Sequence, residues 1–311
     1  MDIELRHLRH ARALAEHGHF GRAASALGLT QPALSRSIGE LERRVGTRLF
    51  DRNSSGIEPT DMGSLLLERA EELLARSTDL GRELESLQGR DAGRLWIGAG
   101  TYPAEMLVGD ALAALLRQRA HTNVRVVVEN VLNLMPLLRR RELDLVIGDS
   151  TQFVGDPEFQ IAPLAPRQGY FVCRSGHPLL QRPSVRLTDV VAFPLVATSR
   201  LTPRLLGPIV AASRQLASAS DLPAAPSVTC ESVGMMKRIV AGSDTIAIMP
   251  LAAINVDGNP GRLAVLPLVE PWLKASFAII RLARRTPSPS SEMFMQLLLE
   301  TDADVTRSAD E

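Results

Sequence analysis

The sequence predicts an α/β chain made of a small helical head, one long helix, and a larger region of alternating strands and helices. Three observations predict it. Apolar residues recur at helical spacing with glycine stops up to residue 46, a heptad runs unbroken from 66 to 87, and beyond residue 93 short apolar strands alternate with amphipathic helices. At 311 residues the chain exceeds a comfortable single core, so several domains are expected.

Leu5, Leu8, Ala11 and Ala15 share one helical face, and Gly18 stops that helix. A second helix, 20–27, is followed by a Gly28-Leu29 turn. Thr30 then serves as an N-cap, with Pro32 in the first turn of a third helix, where its missing N–H costs nothing. Ala33, Leu34, Ile38, Leu41 and Val45 face inward there, which leaves Gln31, Ser35, Arg36 and Arg43 outside the core. Gly46 ends the helix. Two short extended pieces around Asn53-Ser54-Ser55-Gly56 read as a small wing. From Thr60 a long helix carries Leu66, Ala70, Leu73, Ser77, Leu80, Leu84 and Leu87 at alternating spacings of four and three, a seam that favours a partner helix and hence a homodimer.

The polar stretch GRDAG, 89–93, marks the hinge to the next domain. After it come strand RLWIGAG, helix AEMLVGDALAALLRQR, strand NVRVVVEN, helix VLNLMPLLRRRE and strand LDLVIGD. A similar unit recurs later with GYFVCR, FPLVAT, a helix near 204–215, PSVTCE, VGMMKRIVAG and TIAIMP, before strand SFAIIRL and helix SEMFMQLLLE. Such repeats imply parallel sheet covered on both faces. The final TDADVTRSADE reads as a polar, frayed tail.

Composition narrows the partners. Lys plus Arg equals Asp plus Glu at 35 each, so no global field draws the molecule to polyanions, and any such binding is local. MDIELRHLRH lacks the apolar run of a signal peptide, and no stretch is apolar enough to span a bilayer, so a cytoplasmic protein without membrane contact is expected. Cys173 and Cys230 lack paired spacing and read as buried thiols, with a redox pair as a lesser alternative. GAGTYP lacks the third glycine of a dinucleotide fingerprint, the histidines have no partners at metal spacing, and no nucleophile-elbow pattern occurs. Neither a cofactor, a metal nor an enzymatic activity is expected. Arg139-Arg140-Arg141 reads as a solvated helix end.

Two short helices joined by a tight turn have the form of a helix-turn-helix. A recognition helix needs small or hydrogen-bonding groups at its front and an apolar back, which Ala23, Ala24 and Leu27 provide for. Gln31 suits an adenine edge, Arg36 a guanine or a phosphate, and Ser35 either a base or a phosphate. A helical hairpin inside a larger all-α core fits the pattern equally well.

The segment HFGRAASALGLTQPALSRSIGELERRVGTRLFDR followed by PTDMG resembles, without a gap, the winged helix-turn-helix of LysR-type transcriptional regulators. SGHPL at 175–179 is a further match. The resemblance implies a winged DNA-binding domain over 1–60 and a dimerising linker helix over 61–88. It also implies a two-lobed regulatory domain like that of periplasmic solute-binding proteins. Its first lobe would span 92–164 and 270–303 and its second 165–269, with 304–311 as the tail. The chain would cross between lobes near Pro163–Arg167 and again near Leu266–Pro271. DNA contacts are then expected from Thr30, Gln31, Pro32, Ala33, Ser35, Arg36, Arg52 and Thr60.

The family architecture also implies a small effector between the lobes. Strand ends feeding helix N-termini, where free N–H groups favour an anion, nominate Thr101, Tyr102, Asn130, Ser199, Arg200 and Thr202, although helix capping explains each hydroxyl or amide taken singly. Their polarity suits a small organic acid. Departures from the family are Gly39-Glu40 on the recognition helix, Glu58 in the wing, and AGSDTIAIMP in place of a glycine-rich version. Nine arginines against seven carboxylates over 1–60 leave the head only about +2, so non-specific affinity should be modest and salt-sensitive. The reading is therefore a regulator that binds an interrupted palindrome of double-stranded DNA as a homodimer or homotetramer, answers a small molecule, and contacts RNA polymerase. Its rivals are a solute-binding or enzymatic α/β protein with an N-terminal assembly module, and a redox sensor.

Overall fold

The computed structural model describes residues 3–53, 56–87, 93–198, 201–216, 226–255 and 261–310. It divides into two compact units, Met1–Asp91 and Ala92–Glu311.

In the first unit α1 (Leu5–His17), α2 (Phe20–Ala26) and α3 (Gln31–Val45) precede a hairpin of β1 (Phe50–Asn53) and β2 (Gly56–Pro59), and α4 (Asp61–Leu87) follows. Gly18 and Gly46 end α1 and α3 in the left-handed region, at φ 58° and 85°, where a side chain is strained. Leu14, Ala23, Leu34, Leu41 and Leu49, all fully buried, form the core. The long helix departs from the expected seam. Ala70 and Leu74 are buried against Leu8 of α1, and half-buried Leu66 joins them, whereas Leu73 and Leu80 remain 52% and 57% exposed. The first turns of the heptad are used inside the chain, because α1 covers that face; the open stripe is Met62, Leu65, Leu73 and Leu80. The side chains of Leu84 and Leu87 lie outside the described residues.

The second unit contains two sheets. Its elements are, in order, β3 (Arg94–Ala99), α5 (Thr101–Pro103), a π-helical turn (Ala104–Val108), α6 (Gly109–Gln118), β4 (Asn123–Val128), α7 (Val131–Arg139), β5 (Leu145–Asp149), β6 (Phe159–Pro163) and β7 (Arg167–Arg174). Then follow α8 (Leu187–Val190), β8 (Leu195–Ala197), α9 (Pro203–Leu216), β9 (Val228–Thr229), α10 (Val233–Gly242), β10 (Ile246–Pro250), α11 (Leu251–Asn255), β11 (Leu263–Val265), β12 (Lys274–Ala275), β13 (Phe277–Leu282) and α12 (Pro289–Asp310). The first lobe's sheet has the order β4-β3-β5-β13-β6 and the second's β11-β7-β10-β8-β9, with β12 also on β7.

Both sheets are mixed rather than purely parallel. Strands β3, β4 and β5 are parallel, as are β8, β9 and β10, but β13 runs antiparallel to β5 and β6, and β7 antiparallel to β10, β11 and β12. The strands bounding each interlobe crossing, β6, β7, β12 and β13, all pair antiparallel. The first crossing is at 164–166. The second falls at Ser276, not between Leu266 and Pro271, because Lys274 and Ala275 still pair with β7 and Gln168 Nε2 donates to the carbonyls of Glu270 and Leu273 at 3.0 Å each. The tail read as frayed is helical to Asp310: Val305 packs on the core, and buried Asp302 pairs with buried Arg167.

The lobes do not have wholly separate interiors. One apolar cluster joins Ile97, Leu115 and Phe294 of the first with Val172, Val196, Met236 and Met249 of the second. Each lobe adds its own, around Phe171 and Leu179 in the second and Leu134 and Ile280 in the first.

Candidate functional site

Two surfaces carry the sequence candidates. In the head, Gly28 turns the chain at φ 66°, and Leu29 N–H donates to Ala24 O at 2.9 Å, so α3 starts close behind α2. The back of α3, Leu34, Ile38 and Leu41, is buried. Thr30, Gln31, Pro32 and Arg36 are exposed, and Ala33 and Ser35 are half-buried. Thr30 makes no side-chain cap, which leaves its hydroxyl outside the helix ladder. Arg36 lies along α3, its Nε 3.4 Å from Pro32 O.

Glu40 changes the charge balance of this helix. It accepts from Arg43 at 2.6 and 2.9 Å and from Arg44 at 2.7 Å, and those hydrogen bonds, Arg43's first, pull its carboxyl down to about 2. One carboxylate thus holds two of the head's nine arginines and offsets one unit of their charge. Glu42 Oε1 accepts from Leu49 N–H at 2.8 Å and ties α3 to the wing. Thr60, half-buried, closes the start of the long helix: its hydroxyl donates to Arg48 O and accepts from Gly63 N–H, both at 3.0 Å, so it caps α4. Gly63 is required there, since a Cβ would stand 2.0 Å from Leu49 O. Arg52 stands on β1, the first strand of the wing.

The second surface is a cleft of about 470 Å³ between the lobes. Thr101, Tyr102, Asn130 and Thr202 line it; Ser199 and Arg200 lie outside the described residues. Apolar walls come from Val131, Leu132, Phe153, Leu205, Leu206 and Phe277. The first turns of the helix beginning at Thr101, of α7 and of α9 all reach the lining. Asn130 is a helix cap, its Oδ1 accepting from Leu132 N–H at 3.0 Å. Thr101, buried, donates its hydroxyl to the Glu231 carboxylate, and Tyr102 donates to Ile248 O. Burial first, then the charge of Glu231, pushes the Tyr102 phenol well above its ordinary range, so it remains a donor. Asp149, Glu231, Lys274, Thr198 and Thr229 also line the cleft and were not among the sequence candidates. Asp149 and Thr229 end strands, and Glu231 lies two residues past β9, so the strand-end rule that nominated Thr101 reaches them too.

Comparison with known proteins assigns the domains that carry the two surfaces. The helix-turn-helix model of the lysR family matches residues 5–64, and the LysR substrate binding domain matches 88–303. The chain belongs to the LysR family. LysR proteins are DNA-binding transcriptional regulators, not enzymes, and they carry an effector-binding domain; the assembly-module rival is set aside. The SDS degradation transcriptional activation protein of Pseudomonas sp. (strain ATCC 19151) is 36% identical over 304 residues, covering 96% of this chain and 97% of the relative. GbpR of Azospirillum brasilense is 29% identical, covering 96% and 94%. Among solved structures, the LysR regulator CbnR aligns with a TM-score of 0.64 at 19% identity, over 96% of this chain and 99% of that one. A full-length OxyR variant from Pseudomonas aeruginosa gives 0.63 at 21%, over 97% and 95%. At such identities the structures establish the fold. Among the described residues no helix is long and apolar enough to cross a membrane.

The two thiols stand apart in the LysR fold. Cys173 is on β7, and Cys230 directly follows β9, with β10 and β8 between them. Three strand spacings amount to about 14 Å, whereas a disulfide needs Cα atoms within about 7 Å. A direct bond between them requires opening the second sheet.

Proposed function

We propose that this LysR regulator works in the cytoplasm as a homodimer, or as a homotetramer of two such dimers, on an interrupted palindrome, with Gln31, Ser35 and Arg36 at base edges or phosphates. Thr30, Pro32, Ala33 and Arg52 border that contact. The open stripe of Met62, Leu65, Leu73 and Leu80 supports pairing through α4, since about half of each side chain meets solvent in the single chain. Pairing also supplies avidity to a weakly charged head.

The effector is a small organic acid with an apolar body. The observation that carries this reading is the cleft's composition: apolar walls, with three helix N-terminal turns and Lys274 supplying positive charge beside the carboxylates of Asp149 and Glu231. The relative named for SDS degradation agrees in kind, because an alkyl sulfate is an anionic head on an apolar tail. Because the lobes share one core cluster, the response is a small rotation or slide rather than wide opening. The effector shifts a pre-existing balance between two settings of the lobes, and the spacing of the paired heads and their contact with RNA polymerase follow from it.

The test is thermal unfolding of the full chain with octanoate, octyl sulfate, octanol and octylammonium, which share a tail and differ in head charge. A ligand at a hundredfold excess over Kd adds about 2.7 kcal/mol. Stabilisation by the two anions, reduced in Lys274→Ala, is expected; stabilisation by octylammonium alone refutes the acid reading.

A further inference from the structure

The helix that begins at Thr101 is joined to the second lobe by three polar contacts within five residues. Thr101 Oγ1 donates to Glu231, in the turn between β9 and α10; Tyr102 OH donates to Ile248 O on β10; and the Glu105 carboxylate lies 3.5 Å from Lys237 Nζ on α10. Thr101 and Lys237 are both buried. Glu105 belongs to the π-helical turn, a wide turn that interrupts the helix between Thr101 and α6. Such turns can shift register locally without unwinding the helix.

The place of Glu231 is chemically pointed. A carboxylate beside a hydroxyl at a helix N-terminus has the arrangement that an anionic ligand would seek there, because the dipole and the first-turn groups favour negative charge. Here the carboxylate comes from the protein and from the opposite lobe. An anion approaching Thr101 therefore meets a like charge already using its anchor. This repulsion is strong in a cleft walled by apolar side chains, where water screens little.

We infer that Glu231 is a built-in competitor for the effector: it occupies the Thr101 anchor, and an anionic effector must displace it, releasing one of the three polar ties between this helix and the second lobe. The inference rests on the anionic-effector reading above. It makes Glu231 the residue that sets both affinity and coupling. Displacement frees the turn ahead of α10, leaving the Tyr102 and Glu105 ties as the axis about which the second lobe resettles.

The experiment measures octanoate and octylammonium binding by calorimetry to the full chain and to Glu231→Ala, Glu231→Gln and Thr101→Val. Octanoate is expected to bind Glu231→Ala at least tenfold tighter than the unaltered chain. Glu231→Gln should show a smaller gain, since its amide oxygen still accepts from Thr101 but carries no charge, and it decides the matter if Glu231→Ala fails to fold. Thr101→Val should lose octanoate binding whether or not Glu231 is present. Equal octanoate affinity in the unaltered chain and in Glu231→Ala overturns the competitor role and leaves the acid effector standing. Octylammonium binding that disappears in Glu231→Ala makes Glu231 a counter-ion and overturns both readings. Absence of octanoate binding to Glu231→Ala, with the anchor freed, overturns both as well.

Discussion

Gly63→Ala should cripple the head although alanine is the better helix former. An added Cβ would lie 2.0 Å from Leu49 O and 3.0 Å from its carbonyl carbon, against ordinary contacts of 3.4 Å or more, so the start of α4 must retreat by about 1.4 Å. The same retreat stretches Thr60 N–H to Leu49 O and Thr60 Oγ1 to Arg48 O, each now 3.0 Å, beyond hydrogen-bonding range. Losing two hydrogen bonds costs about 1 kcal/mol each. Residual overpacking adds roughly 1–3 kcal/mol, and the helix propensity of alanine returns about 1. The net loss is about 2–4 kcal/mol, or roughly 10–25 °C in the midpoint of a unit this size. Calorimetry of the full chain resolves the head's transition from that of the regulatory unit. Gly81→Ala, in the same helix with no atom within 4 Å of its added Cβ, is the control and should gain up to about 1 kcal/mol. Equal midpoints for the two variants would refute the close approach of α4 to Leu49.

Gln31→Ala with Arg36→Ala should weaken operator binding by about 2–6 kcal/mol per head if both read bases, with circular dichroism unchanged; fluorescence anisotropy at fixed salt measures it, and undiminished affinity removes the assigned front of α3. Asp302→Ala strands the buried Arg167 guanidinium and Ala165 N–H, a loss of about 3–5 kcal/mol readable in urea midpoints of the regulatory unit. Burial first, then the charges of His7, Arg6 and Arg9, holds the His10 imidazole below its ordinary 6.5. Its contribution is full above that value and is lost as pH falls through it, because the unfolded chain protonates first; His10→Gln should flatten the drop in the head's midpoint between pH 7.5 and 5.5. Burial raises the Cys173 thiol to about 11, so iodoacetamide at pH 8 should leave it unmodified in the folded chain and alkylate it in urea.

Much of the head is legible in its residues because its instructions are local. Gly18, Gly28 and Gly46 fall where the chain turns left-handed, Pro32 occupies a first turn, and Leu34, Ile38 and Leu41 recur at the helical period, so neighbours in sequence decide the backbone. The cleft candidates Thr101, Tyr102, Asn130 and Thr202 were reachable by a similar rule, since strand ends and helix starts can be read one after another. That rule says where a side chain stands but not what it faces. Thr60 and Asn130 look like contact residues from their neighbours, yet their polar groups close helix ends. The strand-end rule reaches Glu231 by position but not its partner, since Thr101 stands 130 positions earlier.

Short-range propensity and periodicity account for the helix stops, the two short helices of the head and the alternation of strands and helices beyond residue 93, whereas the winged DNA-binding reading and the two lobes come from the family resemblance. Long-range packing settles which heptad positions stay open to a partner, that the second crossing waits until Ser276, that the last helix continues through Asp310, and that a carboxylate of the second lobe sits on the Thr101 hydroxyl of the first. These depend on pairs of surfaces meeting, and contact free energy between residues a hundred positions apart leaves no period in either partner's sequence.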